Sequence, residues 1–213
     1  MTEKFMVFDT ETTNDIDCPL TYDLGFAVID KFGKIYEQHS FVVADIFLDK
    51  ELMQSAFFAD KIPMYWEQIK NGTRTLTSFY NIRKALVSVM EKYNTKIVIA
   101  HNARFDYIST ATTQRYLTKS KYRYFFPYGT EIWDTLKMAR EVLKADEEYE
   151  NFCYENNYLT KRGCRRYTAE ILYRFFTNDN DFVESHTGLE DVMIEKVIFT
   201  ECLARGCENG KLW

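Results

Sequence analysis

Two short apolar segments constrain the fold of this chain more than any other feature of the sequence. They occupy residues 5–8 (Phe-Met-Val-Phe) and 97–100 (Ile-Val-Ile-Ala), and neither alternates with polar residues. A strand with one face in water alternates, whereas an uninterrupted apolar run is typical of a strand buried on both faces. The sequence therefore predicts two central strands in a sheet that is covered on both sides.

Acidic residues follow the first of these strands directly. Asp9 and Glu11 are two residues apart, so their side chains share a face if the strand continues through them. Two carboxylates on one face repel each other unless a cation lies between them. The pair predicts either a metal site or an ordinary polar turn with both acids in water.

A similar junction follows the second strand. Asn102 is a good helix N-cap, and it places Asp106 in the first turn of the helix that follows. Ligand sites gather at such strand ends in open α/β sheets. His101 lies at the same junction, and we expect it to pack or form hydrogen bonds beside the strand end rather than act in catalysis.

A third polar stretch, residues 185–191, precedes the last helical pattern. Thr187 followed by Glu190, ahead of an apolar run, predicts a capping box with Thr187 as the N-cap. His186 then precedes the cap and Asp191 is the fourth residue inside, positions whose side chains meet in a hydrophobic staple. An imidazole and a carboxylate are thus predicted to face the same place, unless the histidine simply lies beside a solvated helix face.

The remaining pattern predicts a hairpin and several helices. Residues 22–30 and 35–43 form two strands around a Gly-containing turn, so the sheet begins with three antiparallel strands. Helical spacing covers residues 45–70, interrupted at Pro63, and a longer helix runs from Thr75 or Thr77 to about residue 93. A short strand is predicted at 131–133, with helices at 135–144, 146–157, from 168 onward and at 188–205. Because no internal repeat or linker is found, we predict one domain spanning residues 1–213.

Composition narrows the class of protein. Apolar residues make up 46% of the chain and aromatic residues 16%, which is typical of a folded protein. The net charge of −5 argues against a broad basic surface that grips long nucleic acids, but not against a pocket for one strand end. The five cysteines lack zinc-site spacing and are interpreted as reduced thiols. We expect no membrane span or signal peptide, and therefore a cytoplasmic protein.

Two basic stretches are candidates for phosphate contacts. Residues 116–129 interleave Lys and Arg with Tyr, a pattern that can hold a phosphate backbone and stack on bases, although a solvated loop is the simpler interpretation. Residues 161–166 (Lys-Arg-Gly-Cys-Arg-Arg) form a compact basic loop and are the better local candidate.

Taken in order, the three polar motifs resemble those of the DEDDh family of 3′-to-5′ exonucleases, which includes the proofreading subunits of bacterial DNA polymerases. The motifs are residues 8–13 (Phe-Asp-Thr-Glu-Thr-Thr), residues 101–106 (His-Asn-Ala-Arg-Phe-Asp), and His186 with Asp191 five positions later. The resemblance spans nearly the whole chain. The family often has Gly where this chain has Asn14; because Asn tolerates a left-handed backbone, we expect little consequence.

The resemblance implies an α/β fold with a ribonuclease H-like mixed sheet, in which three antiparallel strands are followed by parallel ones, with helices on both faces. It also implies 3′-to-5′ hydrolysis of a single-stranded end to nucleoside 5′-monophosphates, with two Mg²⁺ or Mn²⁺ ions as cofactors. The implied catalytic residues are four metal-binding carboxylates and a general base: Asp9, Glu11, Asp106, Asp191 and His186. The implied substrate contacts are Thr12, Thr13, Asn102 and Phe105.

Alternatives concern the substrate and the partners. We favour single-stranded DNA over RNA; an RNA-trimming enzyme would use the same catalytic residues and differ in its contacts to the 2′-hydroxyl. From another class, an inactive module that binds nucleic-acid ends or a polymerase would not need all five catalytic positions. A zinc hydrolase would lack its His and Cys ligands. A stand-alone enzyme, a homodimer and a polymerase contact are all left open.

Overall fold

The computed structural model describes residues 3–118 and 124–213, and a mixed six-stranded sheet lies at the centre of these ranges. Its strand order is β4-β3-β2-β1-β5-β6. The strands are β1 (Lys4–Thr13), β2 (Leu20–Asp30), β3 (Ile35–Val43), β4 (Thr75–Thr77), β5 (Ile97–Ala100) and β6 (Glu131–Asp134).

Helices cover both faces of the sheet. Within the described ranges they are α1 (Ala44–Phe47), α2 (Lys50–Gln54), α3 (Ile62–Asn71), α4 (Phe79–Tyr93), α5 (Arg104–Leu117), α6 (Thr135–Val142), α7 (Glu147–Glu155), α8 (Ala169–Thr177) and α9 (Gly188–Ala204), with a 3-10 turn at Ala59–Lys61. None of these helices is long and apolar enough to cross a bilayer.

Strand directions match the predicted mixed sheet. The strand pairs β1–β2 and β2–β3 are antiparallel, whereas β1–β5 and β5–β6 are parallel. Since β1 and β5 run the same way, their carboxyl ends meet at one edge of the sheet. β1 continues through Asp9 and Glu11 to Thr13, so the acids expected after this strand lie within its carboxyl-terminal half. They are brought together with the residues that follow β5, although the two sets are about ninety positions apart in the chain.

Apolar and polar residues do not alternate at positions 5–8 of β1 because both faces of the strand are buried there, as predicted. Met6 and Phe8 enter an apolar core shared with α1 to α4. Phe5 and Val7 enter a second core on the opposite face, shared with α6 to α9. All four side chains are buried, so a polar residue at any of these positions would lie in one of the two cores.

Two local predictions were wrong. Residues Thr75–Thr77 do not begin a helix; they form the edge strand β4, which pairs with β3 in parallel, and Ser78 then caps α4. Pro63 does not interrupt a helix either. It lies in the first turn of α3, where its missing N–H has no helical partner to lose.

Candidate active site

Five side chains from the three sequence motifs approach the edge where β1 and β5 end. Asp9 and Glu11 extend from β1, Asp106 lies in the first turn of α5, and Asp191 in the first turn of α9. Ligating atoms of Glu11, His186 and Asp191 all lie within 4.8 Å of one another. Asp9 and Asp106 do not belong to that close set, but the pKa of Asp9 is raised by burial and then by the charge of Asp106.

Asp106 is oriented by β1 itself. The backbone N–H of Thr10 donates to its Oδ1 atom at 3.1 Å, and the Thr10 hydroxyl donates to the same oxygen at 2.8 Å. This arrangement holds one carboxylate oxygen in place and leaves the other to bind a ligand. Thr10 itself alternates with Asp9 and Glu11 along the strand, so it faces α5 while they face the opposite way.

Asp9 carries the clearest sign of a missing counter-charge. Its Oδ2 atom is buried and has no hydrogen-bond partner among the described residues. Leaving such an oxygen unpaired costs roughly 1–3 kcal/mol, more when the group is charged. A cation beside Asp9 would remove that cost.

Asp191 is held by the turn that precedes α9. The Thr187 N–H donates to Asp191 Oδ2 at 3.0 Å, and the Ser185 hydroxyl lies 3.5 Å from Oδ1. Thr187 is the N-cap as predicted, but the capping box was wrong. The Thr187 side chain caps no backbone N–H; its hydroxyl donates instead to the Glu190 carboxylate at 2.8 Å.

Glu190 is diverted from the cap by a buried ion-pair network. Arg74 donates through Nη2 to Glu190 at 2.5 Å and through Nη1 to both oxygens of Asp23, at 2.7 and 2.8 Å. Asp23 also accepts from the Tyr65 hydroxyl and from the N–H of Gly188, the first residue of α9. The network ties the start of α9, and so Asp191, to β2.

A close backbone contact reinforces this attachment. At Gly25, opposite Asp9 in the β1–β2 ladder, a Cβ atom would collide with the backbone of Gly188 and Leu189. Only glycine therefore lets α9 approach β2 this closely.

His186 lies beside the carboxylates in a left-handed backbone conformation, with φ of 50°. Its ring stacks on Phe58 at a centroid distance of 4.7 Å, and Nδ1 lies 3.8 Å from the Glu184 carboxylate. Lys61 holds this segment by donating to the carbonyl oxygens of Ser185 and His186. Burial, and then the Lys61 charge, lower the pKa of His186, so the imidazole is neutral near pH 7 and able to accept a proton.

The carboxyl groups of this site are destabilised as anions. Burial is the largest cause. The next cause is repulsion from Asp106 for Asp9, from Asp191 for Glu11 and from Glu184 for Asp191. At Asp106 the hydrogen bond from Thr10 partly offsets the effect of burial. The pKa values rise to about 8 for Glu11, about 7 for Asp106 and about 8 for Asp191, and the pKa of Asp9 lies well above its ordinary value. Carboxylate oxygens are the ligands that Mg²⁺ and Mn²⁺ prefer, so the donor set fits such ions.

Glu195 is a member of this cluster that the sequence reasoning missed. It is buried one helical turn beyond Asp191; Oε1 accepts the His101 N–H at 2.8 Å, and Oε2 has no partner in the described part of the chain. Its charge raises the pKa of Asp9. The spacing of four residues from Asp191 on one helix face was the signal that could have revealed it.

The four residues predicted to contact the nucleotide differ in their exposure to solvent. Asn102 is exposed, Thr12 and Phe105 are half-buried, and the side chain of Thr13 is buried, with its hydroxyl donating to the Leu52 carbonyl in α2. Asn102 is not the N-cap that was predicted. Its φ of 58° is left-handed and its N–H donates to Asp134 Oδ1 at 2.9 Å. Asn14 likewise has a left-handed φ, of 71°.

His101 has a structural role in this chain. Since a carbonyl only accepts, Nε2 donates to the Tyr167 carbonyl at 2.9 Å, and Nδ1 accepts from the Thr135 hydroxyl at 2.9 Å. Burial lowers the pKa of His101 to about 4. The neutral ring therefore fastens the end of β5 to the segment before α8.

The basic stretches are only partly covered. Lys119, Lys121, Tyr122 and Arg123, named in the stretch 116–129, lie outside the described residues. Tyr124 and Tyr128 of the same stretch are exposed. The loop at 161–166 is described in full.

The raised carboxyl pKa values predict how stability depends on pH without divalent ions. A carboxyl whose pKa is higher in the folded state contributes stability below its unfolded pKa and loses it as pH rises through the folded value. In EDTA, the melting temperature should fall between about pH 7.5 and 8.5, a window in which histidines, whose unfolded pKa is about 6.5, are neutral in both states and no longer affect the slope. Glu195→Gln should reduce this slope and excess Mg²⁺ should flatten it.

The matched control is Glu208→Gln, at an exposed carboxyl near the end of the chain. It should leave the slope of melting temperature against pH unchanged. A melting temperature that rises across the window, or a Glu195→Gln slope equal to that of the original chain, would contradict the assignment of a strained carboxyl cluster.

Comparison with known proteins places the fold. No family model matches the chain, and no curated protein matches it in sequence. The structure is similar to E. coli Exonuclease I in complex with a 5cy-dT13 oligonucleotide, at 13% identity and a TM-score of 0.58, over 96% of this chain and 42% of that one. It is also similar to Exonuclease I from Methylocaldum szegediense, at 16% identity and a TM-score of 0.61, over 97% and 41%.

A third similar structure is S. pombe Pop2p in its Mg²⁺- and Mn²⁺-bound form, at 11% identity and a TM-score of 0.56, over 95% of this chain and 83% of that one. The chain thus spans about two fifths of Exonuclease I and most of Pop2p. These similarities confirm the predicted α/β fold, a ribonuclease H-like mixed sheet with helices on both faces.

Proposed function

We propose that this chain is a metal-dependent 3′-to-5′ exonuclease of the DEDDh type that hydrolyses single-stranded nucleic acid, with DNA favoured over RNA. The observation that carries the proposal is the cluster of buried carboxylates at the β1–β5 edge, with the neutral imidazole of His186 beside it. Such a cluster is costly unless divalent cations occupy it. The product is a nucleoside 5′-monophosphate.

Each residue has a role in this proposal. Asp9, Glu11, Asp106 and Asp191 hold two Mg²⁺ or Mn²⁺ ions, which supply charge stabilisation for the phosphodiester and a lowered pKa for water. Hydrogen bonds from the Thr10 hydroxyl and the Thr187 N–H orient the carboxylates of Asp106 and Asp191, respectively. An imidazole nitrogen of His186 accepts the proton of the attacking water, and the Glu184 carboxylate near Nδ1 favours the resulting imidazolium.

The terminal nucleotide is positioned by Asn102 and Phe105 and by the backbone around Thr12 and Thr13. Support for DNA comes from the similar structures: E. coli Exonuclease I has been solved with dT13, dA13 and dA16 oligonucleotides. An exoribonuclease remains the second candidate, because the catalytic residues would be identical.

The first test is a time course on matched 5′-labelled single-stranded DNA and RNA, in Mg²⁺, Mn²⁺ or EDTA. We expect a ladder that shortens from the 3′ end, that disappears in EDTA, and that forms faster on DNA. Faster shortening of RNA would assign the exoribonuclease. Tight binding of strand ends without any shortening would instead support the inactive module and overturn the proposed enzyme.

A further inference from the structure

A cleft of about 560 Å³ opens beside the candidate active site, between the end of β5 and the loop before α8. Asn102, four residues before Asp106, lines it, and so does Glu184, whose carboxylate lies 3.8 Å from Nδ1 of His186. The cleft therefore lies next to residues of the candidate site. Its basic wall is formed by Arg140, Arg165 and Arg166.

The basic wall rests on a firmly bonded loop. Leu159 and Arg165 form a β-bridge, and the Arg166 N–H donates to the Tyr158 carbonyl at 3.0 Å. The Tyr149 hydroxyl donates to the Arg166 carbonyl. Because His101 also donates to the next residue, Tyr167, the loop is fastened to the strand end that carries the second motif. The backbone that carries Arg166 is therefore fixed relative to the candidate site, which suits it to a ligand contact.

Two of the three arginines have no protein anion. Arg165 donates to the carbonyl oxygens of Leu143 and Lys144 and lies 4.0 Å from Glu150. Arg140 and Arg166 are exposed, and neither has a carboxylate within 4.0 Å among residues 3–118 and 124–213. Guanidinium groups match phosphate geometry better than any other side chain.

We propose that this cleft binds phosphodiester groups of the substrate strand on the 5′ side of its terminal nucleotide, with Arg140 and Arg166 contacting the phosphates. The inference rests on the proposed function and specifies the path of the strand. Glu184 is a carboxylate lining the cleft and repels phosphate, so the phosphates are assigned to the arginines. Within the compact basic loop at 161–166, Arg166 is the proposed phosphate contact, together with Arg140 of α6.

The test compares a long substrate with a minimal one. The variant Arg140→Gln/Arg166→Gln is assayed on a single-stranded dT12 oligonucleotide and on thymidine 5′-monophosphate p-nitrophenyl ester, which is too short to reach the cleft. We expect KM for the oligonucleotide to rise about tenfold or more, and the salt dependence of its binding in EDTA to decrease by about 0.7 per arginine removed. KM and kcat for the nucleotide ester should not change.

The matched control is Arg162→Gln, in the same loop but outside the cleft. An equal loss in this control, an equal loss on the nucleotide ester, or an unchanged KM and salt slope would overturn the inference. If the original chain hydrolyses neither substrate, the proposed function fails. In that case, oligonucleotide binding in EDTA still tests the proposed phosphate contacts. Normal binding by the Arg140→Gln/Arg166→Gln variant would contradict them.

Discussion

Asp9→Asn is expected to lower the rate of strand hydrolysis by about 10³-fold or more, since a metal ligand contributes several kcal/mol of charge stabilisation. The fold should survive. Asp9 Oδ2 is buried without a partner among residues 3–118 and 124–213, and burial together with the charges of Asp106 and Glu195 raises the pKa of Asp9. Removing its charge relieves that repulsion, so the melting temperature in EDTA should stay the same or rise. The measurements are kcat/KM on single-stranded DNA and thermal unfolding in EDTA.

Asp17→Asn is the matched control, because Asp17 is exposed in the loop after β1. It should change neither activity nor the melting temperature. Unchanged turnover in Asp9→Asn would exclude Asp9 from the metal site. A large drop in melting temperature would mean that Asp9 stabilises the fold and that its activity loss says nothing about metal binding.

His186→Ala is expected to slow hydrolysis by about 10²–10⁴-fold while oligonucleotide affinity in EDTA is retained. The reason is that His186 is neutral near pH 7 and lies beside Glu11 and Asp191. The pH profile of kcat should also change, since the acid limb set by imidazole protonation disappears in the variant. Rates at saturating substrate between about pH 5 and 8 measure both effects.

The same geometry allows a second role for His186, as a metal ligand, because its ring belongs to the set whose ligating atoms lie within 4.8 Å. A Mn²⁺ titration separates the two roles. If His186→Ala weakens Mn²⁺ binding and saturating Mn²⁺ restores the rate, His186 is a ligand and not the base. His39→Ala, at the half-buried histidine paired with Glu37 on β3, is the control and should leave the rate unchanged.

Local sequence patterns were sufficient to predict the strands and the helix start that carry the site residues. The apolar runs at residues 5–8 and 97–100 predicted strands buried on both faces, and the structure places them side by side. Thr187 as the N-cap and Asp191 in the first turn of α9 also followed from sequence alone. These predictions succeeded because strand burial and helix starts depend mainly on side chains within a few residues.

Sequence analysis was wrong about residues whose contacts come from distant parts of the chain, or did not identify them. Asn102 looked like a helix cap, but its N–H is taken by Asp134 from β6. Glu190 looked like half of a capping box, but Arg74 attracts its carboxylate from more than a hundred residues away. Glu195 shares a helix face with Asp191, four residues away, but its burial against the end of β5 was visible only once α9 was packed against the sheet.

The sequence by itself determined which residues are predicted to carry chemistry: the acids at the ends of two buried apolar runs, and the histidine and aspartate around one helix start. Only the tertiary structure decided how they act together. It joins Thr10 to Asp106 and Asp23 to Gly188, contacts that span 96 and 165 positions. Sequence periodicity reports which side of an element is buried, but not which partner buries it. The partners are fixed when the helices pack on the two faces of the sheet. This packing determines the pKa shifts of the site carboxyls and which of their oxygens lack a hydrogen-bond partner.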